Sequence, residues 1–216
     1  MDLFDLALSR TLPASRFRLR DGLALGTWLA AAAACLGLLA VYSQTPGVDA
    51  VAPREWPEVA LQRDGDVTTL VLFAHPHCPC TRASMSELER LVARARGEIR
   101  GHVVFFRPSD VPEDWVRTDL WKGVERLPGF ESVIDTDGEL AAVFGAGTSG
   151  TLVLYDRDGR LVFQGGSTSA RGHEGASRGS DAILHGLATG EWVETRVPAY
   201  GCPLFEAPVS TPGVDA

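Results

Sequence analysis

The stretch VTTLVLFAHPHCPC, residues 67–80, decides how the chain is read. Its first eight residues are apolar or β-branched and carry no charge, the pattern of a strand buried on both faces. It runs straight into two histidines and two cysteines alternating with two prolines. From about Thr81 to Arg96 the period changes. Met85, Leu88, Val92 and Ala95 fall at helical spacing, with Glu87, Glu89, Arg90, Arg94 and Arg96 between them. Gly97 and Gly101 close that segment, and HVVFF (102–106) reads as a second strand. A strand, a helix and a strand in this order imply parallel pairing and a right-handed crossover. HPHCPC therefore stands at a strand-to-helix junction.

Downstream, residues 108–129 are more polar and read as an insertion with a short helix near Trp115–Val124. Ser132–Ile134 is expected as a short strand and Asp137–Phe144 as a short helix. TLVLYD (151–156) and RLVFQ (160–164) flank Arg157-Asp158-Gly159, which signals a hairpin. A Gly/Ser loop, GGSTSARGHEGASRG, occupies 165–179. A helix is expected from about Ser180 to Thr189, ending at Gly190. The tail VPAYGCPLFEAP (197–208) carries Cys202. The hexapeptide TPGVDA occurs at 45–50 and again at 211–216. Two copies do not make a repeat architecture, and the sequence offers no physical account of them.

Near the N-terminus, Gly22 to Tyr42 is 21 residues without a charge. At about 1.5 Å per residue such a helix spans roughly 30 Å, the thickness of a bilayer's hydrocarbon core. Arg10, Arg16, Arg18 and Arg20 precede it, while Ser43–Pro53 has one acidic residue and no basic one. That asymmetry places the N-terminus in the cytoplasm and the rest outside. A cleaved signal peptide would have a shorter apolar core and a small-x-small site, and Ala-Val-Tyr-Ser is a poor one. A lipoprotein cut before Cys35 would begin its mature chain with LGLLAVY, which suits a membrane core and not a polar tether. A buried globular helix would show a polar stripe. The expected organisation is a cytoplasmic segment (1–21), a transmembrane helix (22–42), a tether (43–56) and one domain with its tail (57–216). That places the protein in the inner, cytoplasmic membrane as a single-pass protein with an extracytoplasmic domain.

Residues 43–216 hold 16 Lys+Arg against 25 Asp+Glu, a net −9. With no basic patch, nucleic acid is not an expected partner. Cys35 belongs to the apolar span, where it packs. Cys78, Cys80 and Cys202 are left in a compartment that permits disulfides. An odd number of thiols suggests one pair and one remainder. Cys78 precedes a helix N-terminus, which stabilises a thiolate, so it is the expected nucleophile. Cys80 is expected to resolve the mixed disulfide, and a protonated His77 to lower the Cys78 pKa. A Cys78–Cys80 bond closes a small ring and is expected to be strained and easily reduced. Cys202 is the alternative resolving thiol.

The order of elements and the cysteines together resemble the thioredoxin superfamily, in particular its membrane-anchored extracytoplasmic branch of the TlpA and ResA type. DTDGELAAVFG (135–145) and GTLVLYDRDGRLVFQGG (150–166) look like that branch's segment before and through its hairpin. HPHCPC with the later Gly-rich loop and the tail GCP is also similar to a small group labelled RedB. The resemblance covers roughly residues 57–190. It implies an α/β fold, a central mixed sheet flanked by helices, behind one N-terminal transmembrane helix. It implies thiol–disulfide chemistry on a protein thiol or disulfide substrate with no cofactor required. This chain departs from the family pattern in three places. Cys-Pro-Cys is one residue shorter than Cys-x-x-Cys, His77 stands for a tryptophan, and Gly150 aligns with the family's cis-proline.

Two other readings are open. His75, His77, Cys78 and Cys80, completed by His173 or Cys202, are ligand types suited to copper or zinc, although an extended segment turns neighbouring side chains to opposite faces. A thioredoxin-fold scaffold without catalysis is the third. His173 in the Gly-rich loop, with Arg171 or Glu174 orienting it, is an accessory candidate if the loop folds back over HPHCPC. No phosphate loop or Ser-His-Asp set stands out.

Overall fold

The computed structural model describes residues 19–205. The chain divides into two units at Tyr42/Ser43. The first contains all but the last two residues of helix α1, Leu19–Gln44, which is two to three residues longer at each end than the uncharged run. Its stretch Arg20–Gln44 has a mean hydropathy of 2.0 and is long and apolar enough to cross a membrane. Leu23, Trp28, Leu36 and Leu39 are all exposed. The expected segment 1–21 lies almost wholly outside the described residues.

The second unit is built on five strands, β1 (Thr68–Ala74), β2 (Ile99–Arg107), β3 (Phe130–Thr136), β4 (Thr151–Tyr155) and β5 (Leu161–Gly166), which form one mixed sheet of order β3-β2-β1-β4-β5. Strand β1 (Thr68–Ala74) lies at its centre and is buried after its first residue. It pairs parallel with β2 (Ile99–Arg107) through helix α2 (Pro79–Ala95), as the alternating periods required. β2 pairs parallel with β3 (Phe130–Thr136). That strand is longer than the three residues expected, because the parallel ladder recruits Glu131 and Asp135 beside the apolar positions. On the other side β1 pairs antiparallel with β4 (Thr151–Tyr155), and β4 with β5 (Leu161–Gly166). The hairpin turn is held by Asp156, whose Oδ1 accepts the N–H groups of Asp158 (3.0 Å) and Arg160 (2.8 Å). Helices α3 (Asp119–Val124) and α4 (Glu139–Val143) are short, and α5 (Arg178–Thr189) packs beside α2.

Each face of the sheet carries its own core. Leu70, Leu72, Val103 and Phe105 meet Met85, Leu88 and Leu91 of α2 and Ile183 of α5. Val71, Phe73, Val104 and Val153 meet Phe144, Tyr155 and Leu61 on the opposite face. Helix α2 buries its 85, 88, 91 and 95 positions, and Val92 packs partly buried beside them. Residues 43–56, the expected tether, lie against the domain. The Ala52 N–H donates to Gln164 Oε1 (3.0 Å), the Tyr155 hydroxyl to the Pro53 carbonyl (2.9 Å), and Trp56 sits edge-on to Phe144 and Tyr155. An extended Pro- and Gly-containing segment has unpaired backbone groups, and the domain surface supplies their partners.

Candidate functional site

The C-terminal end of β1 carries the site. After Ala74 the chain turns through His75–His77, and the Cys78 N–H closes that turn on the His75 carbonyl (3.1 Å). Helix α2 begins at Pro79, two residues before the expected start, with Cys78 as its N-cap in an extended conformation. Proline suits the first helical position because it needs no amide partner and its φ is already helical. The shift puts Cys80 inside the first turn.

A buried hydroxyl pair braces this turn. Thr81 Oγ1 donates to the His75 carbonyl (2.8 Å) and contacts Ser149 Oγ (2.8 Å), and Ser149 Oγ accepts the His75 N–H (2.9 Å). Neither serine nor threonine carried a motif in the sequence. Gly150 follows with φ +97° and donates its N–H to the Phe73 carbonyl (2.7 Å). Proline has neither that φ nor that N–H, so the local backbone here is built for glycine, whatever the family places at this point.

Cys202 arrives from the far end of the chain. Its carbonyl accepts the Ser149 N–H (2.8 Å), Leu204 donates to the Gly147 carbonyl (2.9 Å), and Pro203 lies antiparallel to Thr148. The tail is thereby laid as a short strand along residues 147–149. Cys202 Sγ comes to rest 3.0 Å from Cys78 Sγ, although 124 residues separate them in sequence. Both are thiols in this structure. Cys78 is 5% exposed, so the tail limits access to it.

The three thiols differ in acidity. Burial works against the Cys78 thiolate, but the Cys202 side chain and the N–H groups of Cys202, Cys80 and Thr81 favour it, and its pKa falls below the usual thiol value. Burial together with the charge and hydrogen bonding of Cys78 raises Cys80. The same causes push Cys202 up to about 12, and Arg171 opposes the rise at both. Cys78 is therefore the thiol that ionises first. An ultraviolet thiolate titration should show one group ionising below the ordinary thiol value, absent in Cys78→Ser, with Cys202 still protonated well above it. Persistence of the low-pH step in Cys78→Ser would instead place the thiolate on another cysteine.

The histidines sit elsewhere. His77 lies against Trp115, with ring centroids 4.4 Å apart, and its Nε2 contacts the Trp115 carbonyl at 2.9 Å. The causes named for the fall in the Cys78 pKa come from Cys202, Cys80 and Thr81. His75 stacks on Phe106 and its Nδ1 accepts the His77 N–H (3.2 Å). Burial, then the neighbouring His77, lowers the His75 pKa. Among the described residues no group of three or more His, Cys, Asp or Glu is placed to hold a metal ion. Two of the four expected copper or zinc ligands, His75 and His77, make aromatic and backbone contacts in this structure.

The Gly-rich loop does fold back, led by Arg171 more than by His173. His173 is exposed. The Arg171 guanidinium donates to the Gly201 carbonyl and its charge acts on Cys80 and Cys202. Glu87, buried on α2, pins the loop by accepting the Gly175 N–H (2.6 Å). The sequence carried no signal for this docking, since Glu87 reads there as one of the charged residues between the apolar positions of the helix. An open cleft of about 1160 Å³ near Arg63, Arg100, His102 and Glu131 lies at the opposite end of β1 and β2, away from the thiols.

No protein-family model and no curated relative matches the chain. Solved structures do. An uncharacterised conserved protein from Geobacillus kaustophilus superposes with a TM-score of 0.54 at 22% identity, covering 77% of this chain and 95% of that one. A hypothetical protein from Sinorhizobium meliloti 1021 gives 0.55 at 20% identity, covering 77% and 98%. The exposed lipoprotein thioredoxin Etrx1 of Streptococcus pneumoniae gives 0.42 at 20% identity, covering 57% and 85%. At these identities the likeness is one of fold.

Proposed function

We propose that the chain is a thioredoxin-like, membrane-anchored thiol–disulfide oxidoreductase in which Cys78 attacks. The observation that carries this reading is the close Cys78–Cys202 pair with its split acidities. The Cys78 thiolate attacks a substrate disulfide R–S–S–R′. A Cys78–S–S–R bond forms and R′S⁻ leaves, taking up a proton. With the Cys78 charge gone, a main cause of the high Cys202 pKa disappears while the Arg171 charge stays. Cys202 then loses its proton, attacks the Cys78 sulfur and expels RS⁻. The protein has given two electrons and holds a Cys78–Cys202 disulfide, which an external dithiol must reduce. The same exchange runs in reverse if the partner is a dithiol. The sulfurs must approach roughly 1 Å further to reach the ~2.05 Å of a disulfide.

Cys80 also feels the Cys78 charge and is the competing resolving thiol. The substrate is a protein thiol or disulfide, reached when residues 201–204 shift from above Cys78. Helix α1 is read as the bilayer anchor. The four arginines before it orient the domain outside the cytoplasmic membrane, the inner one if there are two.

Redox titration of the full chain in detergent tests this reading. Thiols are trapped by acid and alkylation across a range of dithiol potentials, and the peptide masses are read. A reversible two-electron Cys78–Cys202 disulfide is expected. Three cysteines that stay reduced at every oxidising poise would refute the redox role and favour metal handling or a scaffold.

A further inference from the structure

The repeated hexapeptide has a seat. In its first copy the Gly47 N–H donates to the Ala199 carbonyl (2.9 Å) and the Ala50 carbonyl accepts Gln164 Nε2 (2.7 Å). Asp49 Oδ1 accepts the Thr148 N–H (2.9 Å), and both its oxygens accept Thr151 Oγ1 at 3.0 Å. Thr148 Oγ1 also donates to the Val48 carbonyl (3.2 Å). The receiving side chains Thr148, Thr151 and Gln164 are 1%, 0% and 3% exposed, so the domain sets buried polar groups aside for this segment. Buried polar groups need such partners. The fit is selective in shape as well: a Cβ on Gly47 would lie 2.1 Å from Thr148 Oγ1. Val48, by contrast, is 79% exposed and is not read.

What the seat recognises is a glycine, an aspartate two residues later, and the backbone around them. Residues 211–216 repeat all of these, with Gly213 and Asp215 in the matching places. The chain also leaves the described domain beside the seat. Leu204 is bonded to Gly147, the residue before Thr148. From Phe205 to Ser210 an extended chain reaches roughly 20 Å. A tethered segment at that range has an effective concentration on the order of millimolar.

We propose that this seat is an exchange site, taken either by residues 45–50 or by residues 211–216 of the same chain. Occupation by the second copy releases the first as a loop between Ser43, whose carbonyl accepts the Arg171 N–H, and Ala52, whose N–H donates to Gln164. The seat adjoins Ser149, which holds the Cys202 carbonyl, so exchange is transmitted to the backbone beside the thiols. The inference is independent of the redox reading, since neither copy contains a cysteine.

Residue-resolved hydrogen exchange on the full chain in detergent tests it, comparing wild type, Asp49→Ala, Asp215→Ala and the double variant. Asp49→Ala should keep the Thr148 amide protected, because the second copy takes the seat. The double variant should exchange there at least tenfold faster, and Asp215→Ala alone should slow exchange at Gly47. Equal exchange at Thr148 in Asp49→Ala and the double variant overturns the proposal. Protection in Asp49→Ala that falls on dilution also overturns it, by assigning the occupant to a second molecule. The amides of Leu70–Ala74 report that each variant is folded. If Asp49→Ala fails there, Asp49→Asn takes its place with the same expected outcomes.

Discussion

A Cys78→Ser variant is expected to lose all turnover of a peptide disulfide while remaining as stable as the wild type. Cys78 is the thiol lowered toward ionisation, while Cys80 and Cys202 are raised. Neither neighbour replaces it as a nucleophile at neutral pH, because burial, the largest cause at both, still raises their thiols once Cys78 is gone, and the thiolate is the reacting species. The fold should tolerate the change. Position 78 is the N-cap of α2, and serine is among the residues preferred there. Loss of activity without loss of melting temperature therefore separates a chemical role from a structural one. Reduction of a fluorescent peptide disulfide, read beside a thermal melt, gives both. Activity that persists in Cys78→Ser sinks the assignment.

The second large effect is expected from Cys202→Ser. The mixed disulfide on Cys78 should accumulate, and turnover should fall on the order of tenfold or more, since resolution then waits for a thiol from solution or for the less favourably placed Cys80. Cys80→Ser should change turnover much less. The measurement is the mass of the trapped Cys78 adduct after acid quench, together with the steady-state rate of each variant. Accumulation in Cys80→Ser and not in Cys202→Ser would return the resolving role to the Cys-Pro-Cys pair. The two variants separate the candidates, since both Cys202, 3.0 Å from Cys78 Sγ, and Cys80, whose acidity responds to Cys78, stand near the nucleophile.

Much of the architecture was legible because it is periodic. The uncharged run 67–74, the helical spacing of Met85, Leu88, Val92 and Ala95, and the Asp-Gly turn at 158–159 each follow from local backbone geometry, and each element lies where its pattern placed it. The mixed sheet flanked by helices follows from their order. Boundaries moved where one residue overrode the pattern, as Pro79 did for α2. The apolar run 22–42 likewise contains its own helix, since the i to i−4 ladder pairs its interior backbone groups within the segment.

Other features have no period to read. His77 neighbours Cys78 in sequence, yet its ring is drawn to Trp115 by aromatic contact and a carbonyl. Segment 43–56 looks like free chain by composition and is bonded to the domain through its backbone. Cys202 meets Cys78 because three residues of an irregular tail pair with residues 147–149, an interaction between backbone groups that every sequence possesses. The sequence by itself therefore determined the strand, the helix and the presence of three thiols outside the apolar span. Which of those thiols ionises, and which stands beside it, was decided only by the tertiary structure, because burial, amide direction and long-range strand pairing exist only once the chain has closed on itself.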